Sequence, residues 1–513
     1  MSDNNRLSLQ RLVLAVGFLA GSALALGLLL PDRPIPISLI LATLFGGYMA
    51  MTIGANDAAN NLGAAVGSKA ITLSWALVIA VIMETAGAMI AGGNVTQTIK
   101  GGIIDPTMLD NQADFVSLML SALLASAIWI HLATAMNSPI STTHTIIGGM
   151  IGAGITAGGL DVTHWPLLVT IVSSWIVSPL LGGLIAALLL YLIKQTLTYQ
   201  TNMTGAAKQV VPILVAAMGW AFSVYLMLKG FGPVWQIDLH TAMLTGLVIA
   251  IGLYFIIHPA IDQAADRLPQ SKLAINSLFN LPLIFAAALL SFAHGANDVA
   301  NALGPMAAIF EMTRSLSVSN LVTVPLWILM LGIVGLALGL VLYGPRLIKV
   351  IGYELTELDQ IRAYSISMAV AITIILASEL SLPVSTTHVT VGAVLGVGML
   401  REYLKHLDAT TREKIAHHLS GKDLSLTNRF MDEFYASSWL EKRQMLKQLE
   451  THSEKGELSK QQLKELGKLY RKELVKRSAI VRIIIAWVLT LPVTGVLAAL
   501  IYQLIYHLIR ATL

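Results

Sequence analysis

Gly54-Ala55-Asn56-Asp57-Ala58-Ala59-Asn60 and Gly295-Ala296-Asn297-Asp298-Val299-Ala300-Asn301 are one phrase written twice, each time at the end of a strongly apolar run. A companion follows each copy: Ser138-Pro139-Ile140-Ser141-Thr142-Thr143-His144 after the first, Leu382-Pro383-Val384-Ser385-Thr386-Thr387-His388 after the second. Asn56 and Asn297 are 241 positions apart and Ser141 and Ser385 are 244 apart, so one offset relates both pairs to within three residues. That is an internal duplication. What is duplicated is the part of the chain that hydrocarbon tolerates least, which marks it as a site.

Composition sets the solvent. With 55% hydrophobic and 12% charged residues and a mean hydropathy of +0.72, the chain lies far outside the soluble globular range. An all-α polytopic protein of a membrane, the inner (plasma) membrane of a bacterium, is the expectation, with lipid as its surroundings. The absence of cysteine excludes disulfides and thiolate metal sites. Of 33 Lys and Arg residues, 17 fall between Arg401 and Arg477, so the net charge of +4 belongs to one stretch and is no nucleic-acid footprint.

Along the chain, residues 1–36 hold an extra apolar helix; its small-x-small triplet Ala23-Leu24-Ala25 lies inside the run, so a retained helix is expected rather than a cleaved signal. Residues 37–197 form the first repeat, 198–280 two connecting helices and a loop, and 281–400 the second repeat. Residues 401–478 form a charged, soluble helical insert and 479–513 a last helix with Pro492 in its middle. The Gly, Ala and Asn content of 56–69 predicts a weakened helix there, and Asn94 to Asp114, with three Asp and one Lys, reads as a polar loop. Apolar stretches of about 13 residues after His144 and about 12 after His388 are too short to cross a bilayer and predict re-entrant half-helices. Two repeats of this kind give roughly a dozen membrane elements.

An ionised Asp near the centre of a spanning helix costs about 2.5 to 3.5 kcal/mol. Here two occur, each beside carboxamides, so Asp57 and Asp298 with Asn56, Asn60, Asn297 and Asn301 form an oxygen-rich set suited to a hard cation such as sodium, or to a proton on the Asp. Helix capping is the plain alternative for each phrase. Ser141, Thr142, Thr143, Ser385, Thr386 and Thr387 offer hydroxyl donors at the start of a helix after a proline-containing break, an anion cradle; back-bonding to the helix is their structural alternative. His144 and His388 read equally as anion donors or as contacts between helices. Glu84 has no acidic twin: pairing Ile82-Met83 with Leu329-Met330 puts Leu331-Gly332 in its place, which makes Glu84 a coupling group or a salt-bridge partner.

Gly54-Ala55-Asn56-Asp57, Val66-Gly67-Ser68-Lys69-Ala70, Glu84-Thr85-Ala86-Gly87, Phe292 to Pro305 and Pro383-Val384-Ser385-Thr386-Thr387-His388 resemble the signatures of the inorganic phosphate transporter (PiT) family. The resemblance covers roughly residues 37–197 and 281–400. It implies uptake of inorganic phosphate by inverted repeats around a midplane site, with sodium in some members and a proton with metal phosphate in others. The sodium-coupled members it implies carry a glutamate about 16 residues before the second Pro-x-Ser-Thr-Thr-His; this chain has Ser367 there, and its nearby acid is Glu379.

The expectation is a phosphate symporter with no catalytic residues and no cofactor, sodium being a co-substrate, and with a homodimer compatible with the sequence. A proton-coupled phosphate or metal-phosphate permease, a sulfate permease, an anion channel and a membrane-embedded lipid-phosphate enzyme are the competing readings; for the last, no zinc set or nucleophile elbow is present.

Overall fold

The computed structural model describes residues 3–29, 35–229, 237–315, 324–354, 358–419 and 477–510. Its helices in chain order are α1 (Asp3–Leu29), α2 (Ile37–Gly67), α3 (Leu73–Ala91), the short α4 (Gly93–Gln97), α5 (Gln112–Ala135), α6 (Thr142–Gly158) and α7 (Trp165–Ile193). There follow α8 (Met203–Lys229), α9 (Leu239–Asp266), the short α10 (Lys272–Asn276), α11 (Asn280–Asp298), α12 (Ala300–Ser315), α13 (Leu326–Glu354), α14 (Gln360–Glu379), α15 (Thr386–Leu419) and α16 (Arg477–Arg510).

Among the described residues, eleven helices are long and apolar enough to cross a membrane. Their outer faces carry large apolar side chains that water would not tolerate in such number, among them Leu180, Val248 and Leu504, at 70%, 69% and 78% exposure. The interior instead collects Asp57, Asp298, Glu84 and the Ser-Thr-Thr triplets, all buried. The protein is an all-α polytopic membrane protein whose polar groups face inward.

Its two repeats interlock. α2 lies along α13 and α11 lies along α3, so each Asn-Asp helix packs on a helix of the other repeat. The approach is closest at Gly54 and Gly295, where any Cβ would overlap the carbonyls of Leu336 and Glu84 respectively. This packing aligns Glu84 with Leu336, five residues beyond the Leu331 that the sequence pairing put there. Its conclusion stands, since neither position holds an acid. α7 lies along α15 and α16 along α6, which makes α16 the counterpart of α7.

Both helix breaks use one device. Asn137 and Ser381 sit at φ 56° and 57°, and the NH groups of Ser138 and Leu382 reach back to the carbonyls of Ala133 and Ala377 at 2.9 and 3.0 Å, a left-handed helix stop. Pro139 and Pro383 follow and keep the helix from resuming at once. α6 then runs for 17 residues, about 25 Å at 1.5 Å per residue, short of a bilayer core.

Three expectations are corrected. α2 runs 31 residues without a break through Asn56-Asp57, because its alanines favour helix and its asparagines bond outward rather than to their own backbone. Only the second copy is interrupted, at Val299 between α11 and α12. The stretch after Gly93 is not a plain polar loop: Val95 and Ile99 are fully buried, and Lys100 pairs with Glu311 of α12. α15 does not end with its apolar part at Leu400 but continues as helix to Leu419, into the stretch read as an insert; residues 420–476 of that insert lie outside the described residues.

Candidate functional site

The two Asn-Asp phrases and the two Ser-Thr-Thr phrases meet. Ser141 and Ser385 cap α6 and α15, their Oγ atoms accepting from the NH groups of His144 and His388 at 3.1 and 3.2 Å. Each cap leaves the serine O–H available as a donor. The four threonines turn toward the aspartates: Thr142 donates to Asp57 Oδ2 at 3.0 Å and Thr386 to Asp298 Oδ2 at 2.8 Å.

The next threonine of each triplet crosses to the opposite repeat. Thr143 Oγ1 donates to the Val384 carbonyl and Thr387 Oγ1 to the Ile140 carbonyl, both at 3.1 Å. Asn60 Nδ2 donates to Thr387 Oγ1 at 2.8 Å, and Asn301 Nδ2 reaches Thr143 Oγ1 at 3.3 Å. Each of these threonine bonds has its mate under exchange of the repeats, as an approximate two-fold axis between them requires. The hydroxyl and carboxylate sets therefore interlace in one space, where the sequence divided them into an anion half and a cation half.

Asn56 and Asn297 differ. Asn56 spends its groups on the break before α6, donating to Thr134 Oγ1 at 2.9 Å and the Ser138 carbonyl at 3.3 Å and accepting from the Ile140 NH at 3.1 Å. Its place is a brace. Asn297 donates to Asp298 Oδ1 and the Val384 carbonyl at 2.9 and 2.8 Å, while its Oδ1 is buried with no partner. The same holds for Asn301 Oδ1, Asn61 Oδ1 and Glu84 Oε2. An orphaned buried acceptor costs about 1 to 3 kcal/mol, a cost that a bound cation removes.

One polar group on the two-fold was missed in the sequence. His294 Nε2 lies 3.1 Å from Asp298 Oδ2 and 3.7 Å from Asp57 Oδ2, and its Nδ1 lies 3.0 Å from Glu84 Oε1. Asp57, His294 and Asp298 offer ligand atoms that all fall within 4.8 Å of one another. The signal was present: Ile53 holds the matching place before Gly54, so His294 is a polar residue without a twin, as Glu84 is.

The structure shows His144 and His388 in the second of the roles foreseen for them, as contacts between helices. Their rings meet edge to face at 4.2 Å, and each lies against a tryptophan, His144 on Trp175 at 3.8 Å and His388 on Trp487 at 3.7 Å. The four rings form a chain from α7 through the two half-helices to α16. Ser367 is buried with its Oγ unpartnered, and Glu379 is paired with Lys229 at 3.2 Å where both side chains are partly exposed.

Fold and site together define a membrane protein with a duplicated, enclosed polar centre where two interlocked repeats meet. The family model described as "Phosphate transporter family" matches residues 53–498, and the chain belongs to that family. A protein of Helicobacter pylori (strain J99), named by inference as a phosphate permease, is 45% identical over 502 residues, 96% of this chain and 94% of that one. A Pyrococcus abyssi protein named in the same way is 38% identical over 71% of this chain and 89% of its own. Among solved structures, "The sodium-dependent phosphate transporter" aligns with a TM-score of 0.73 at 30% identity, over 91% of this chain and 99% of that one.

Proposed function

We propose that the chain is a symporter that takes up inorganic phosphate together with sodium by alternating access. The observation that carries this reading is the reciprocal set of bonds joining Asp57 and Asp298 to both threonine pairs, beside buried carboxamide oxygens that lack partners. Donors and acceptors of opposite preference share one enclosed space. That is what a site must offer if it is to take an anion and its counter-cations together. The structural relative titled as a sodium-dependent phosphate transporter supports sodium over the proton.

In this reading Ser141, Thr142, Thr143, Ser385, Thr386 and Thr387 donate to the phosphate oxygens, and the NH groups at the two half-helix starts add to them. Asp57, Asp298, Asn60, Asn297 and Asn301 hold sodium, with Asn56 fixing the break on which the first cradle depends. Unit charges of opposite sign 4 Å apart attract by about 4 kcal/mol at an effective dielectric of 20. Sodium ions beside a phosphate dianion thus make the loaded carrier easier to reorient than either species alone. Glu84 acts through His294 on both aspartates as the coupling group.

The repeats that rock would be residues 37–197 and 281–400, the latter joined by the helix in 479–513. The 1–36 helix, the 198–280 hairpin and the 401–478 insert are additions to that machine. The inner membrane of a bacterium is its proposed place.

Counterflow in proteoliposomes of the purified chain tests the anion and the mode of transport. Unlabelled arsenate should drive uptake of labelled phosphate and sulfate should not. Absence of arsenate counterflow would remove the phosphate carrier reading, and sulfate-driven uptake would replace it with a sulfate permease.

A further inference from the structure

Away from the two-fold centre, a cavity of about 490 Å³ opens where α7 ends, α8, α10 and α14 begin, and α15 passes. Four cations from four separate stretches line it: Lys194, Lys272, Arg362 and Arg401. The carboxylate that lines it among the described residues, Asp359, is already engaged, capping α14 through the Arg362 NH at 2.9 Å and pairing with Arg362 Nη2 at 3.0 Å. Lys194 thus faces Lys272, Arg362 and Arg401 as like charges. Lys194 and Lys272 repel each other, and an anion placed between them turns that repulsion into attraction.

The cavity's place sets the kind of anion. Lys194 stands near the end of the span that closes at Thr198, and Arg362 lies just inside the start of the span Gln360–Glu379. Arg401 directly follows the apolar run that ends at Leu400. All three sit at the boundary between hydrocarbon and water, on the face where the charged insert leaves. Apolar side chains, Leu190, Leu197, Met203 and Ile361, share the lining with the cations. Basic pockets between membrane helices suit phospholipid headgroups. The volume is ample for a phosphoryl group.

We propose that this cavity is a second anion site, distinct from the two-fold centre, that binds a phosphate group, carried either by an anionic phospholipid or by free inorganic phosphate. It shares a helix with the transport site: Arg401 lies fifteen residues beyond Thr386 on α15, about 22 Å along the axis. An occupant would tie the middle of that helix to α7 and α14.

The test uses the full-length chain in detergent, as wild type, as K194Q/K272Q and as K194R/K272R; the two lysines leave the Asp359–Arg362 pair intact. Dioleoyl phosphatidylglycerol and dioleoyl phosphatidylcholine are titrated and counted by native mass spectrometry, and labelled inorganic phosphate is followed by equilibrium dialysis. The expected result is phosphatidylglycerol binding, preferred over phosphatidylcholine, that weakens roughly tenfold or more in K194Q/K272Q and returns in K194R/K272R. A second equivalent of inorganic phosphate, lost and regained in the same variants, would identify free phosphate as the occupant and also support the site. Should the double glutamine variant fail to fold, K194Q and K272Q singly carry the same comparison. Equal binding of all three probes by wild type and glutamine variants overturns the proposal.

Discussion

Glu84 Oε1 lies 3.0 Å from His294 Nδ1, and neither of these polar residues at the centre is repeated by the two-fold. Asn61, which donates to the same Glu84 oxygen at 2.8 Å, is a third, since Ala302 follows Asn301 where Asn61 follows Asn60. Across the axis the corresponding places hold Ile53, Leu336 and Ala302. A symmetric pair of cradles is thus read from one side by an asymmetric cluster. In the proposed function that cluster, built from both repeats, would be the coupling group.

Glu84→Gln keeps the shape of the side chain and removes its charge. Losing a charge-assisted bond worth about 1.5 to 3 kcal/mol should lower sodium-driven uptake by roughly ten- to a hundredfold, with phosphate binding to the purified protein retained. Sodium dependence indistinguishable from wild type would take Glu84 out of coupling.

Asp298→Asn should abolish cation-driven uptake while the protein still inserts at normal abundance. By the two-fold, Asp57→Asn should do the same. Near-normal uptake in either variant would remove that aspartate from the cation set.

Thr142 and Thr386 bind matching aspartates, so Thr142→Ala and Thr386→Ala should raise the KM for phosphate by about tenfold each, the worth of one charge-assisted hydrogen bond. Serine at either position keeps the hydroxyl and should stay within a few-fold of wild type. If the serine and alanine variants behave alike, the hydroxyl is not what the site uses.

Gly295→Ala places a Cβ against the Glu84 carbonyl, whereas Gly252 has open space around it. Overpacking of this kind costs about 1 to 3 kcal/mol. The Gly295→Ala protein should therefore melt below Gly252→Ala in the same detergent, and equal melting points would mean that α3 and α11 are not held as closely as described.

The duplication was legible because its residues are expensive in hydrocarbon and recur at one offset; Asp57, Asp298 and the triplets could be named before any coordinates. The break after Met136 was legible from Pro139, and the short α6 from the length of its apolar run. What could not be read is pairing across the axis. Nothing in the local sequence says that Gly54 packs on Leu336, so Glu84 was aligned five residues away from its true counterpart, and His294, three residues from Asn297, was left without a role. Trp175 and Trp487 lie 312 positions apart, an offset stretched by the 401–478 insert, which hid their equivalence. Composition also misled at α2: small residues that weaken a helix in water form an uninterrupted one when its neighbours pack against every face.

In the proposed function sodium at the aspartates cancels the charge of the bound phosphate, and labelled phosphate uptake in proteoliposomes, with sodium and proton gradients imposed separately, measures whether it does. An inward sodium gradient alone should concentrate phosphate inside above the outside level in wild type and not in Asp298→Asn. Accumulation driven equally well by a proton gradient without sodium, or phosphate flux that needs no cation gradient, would contradict the account.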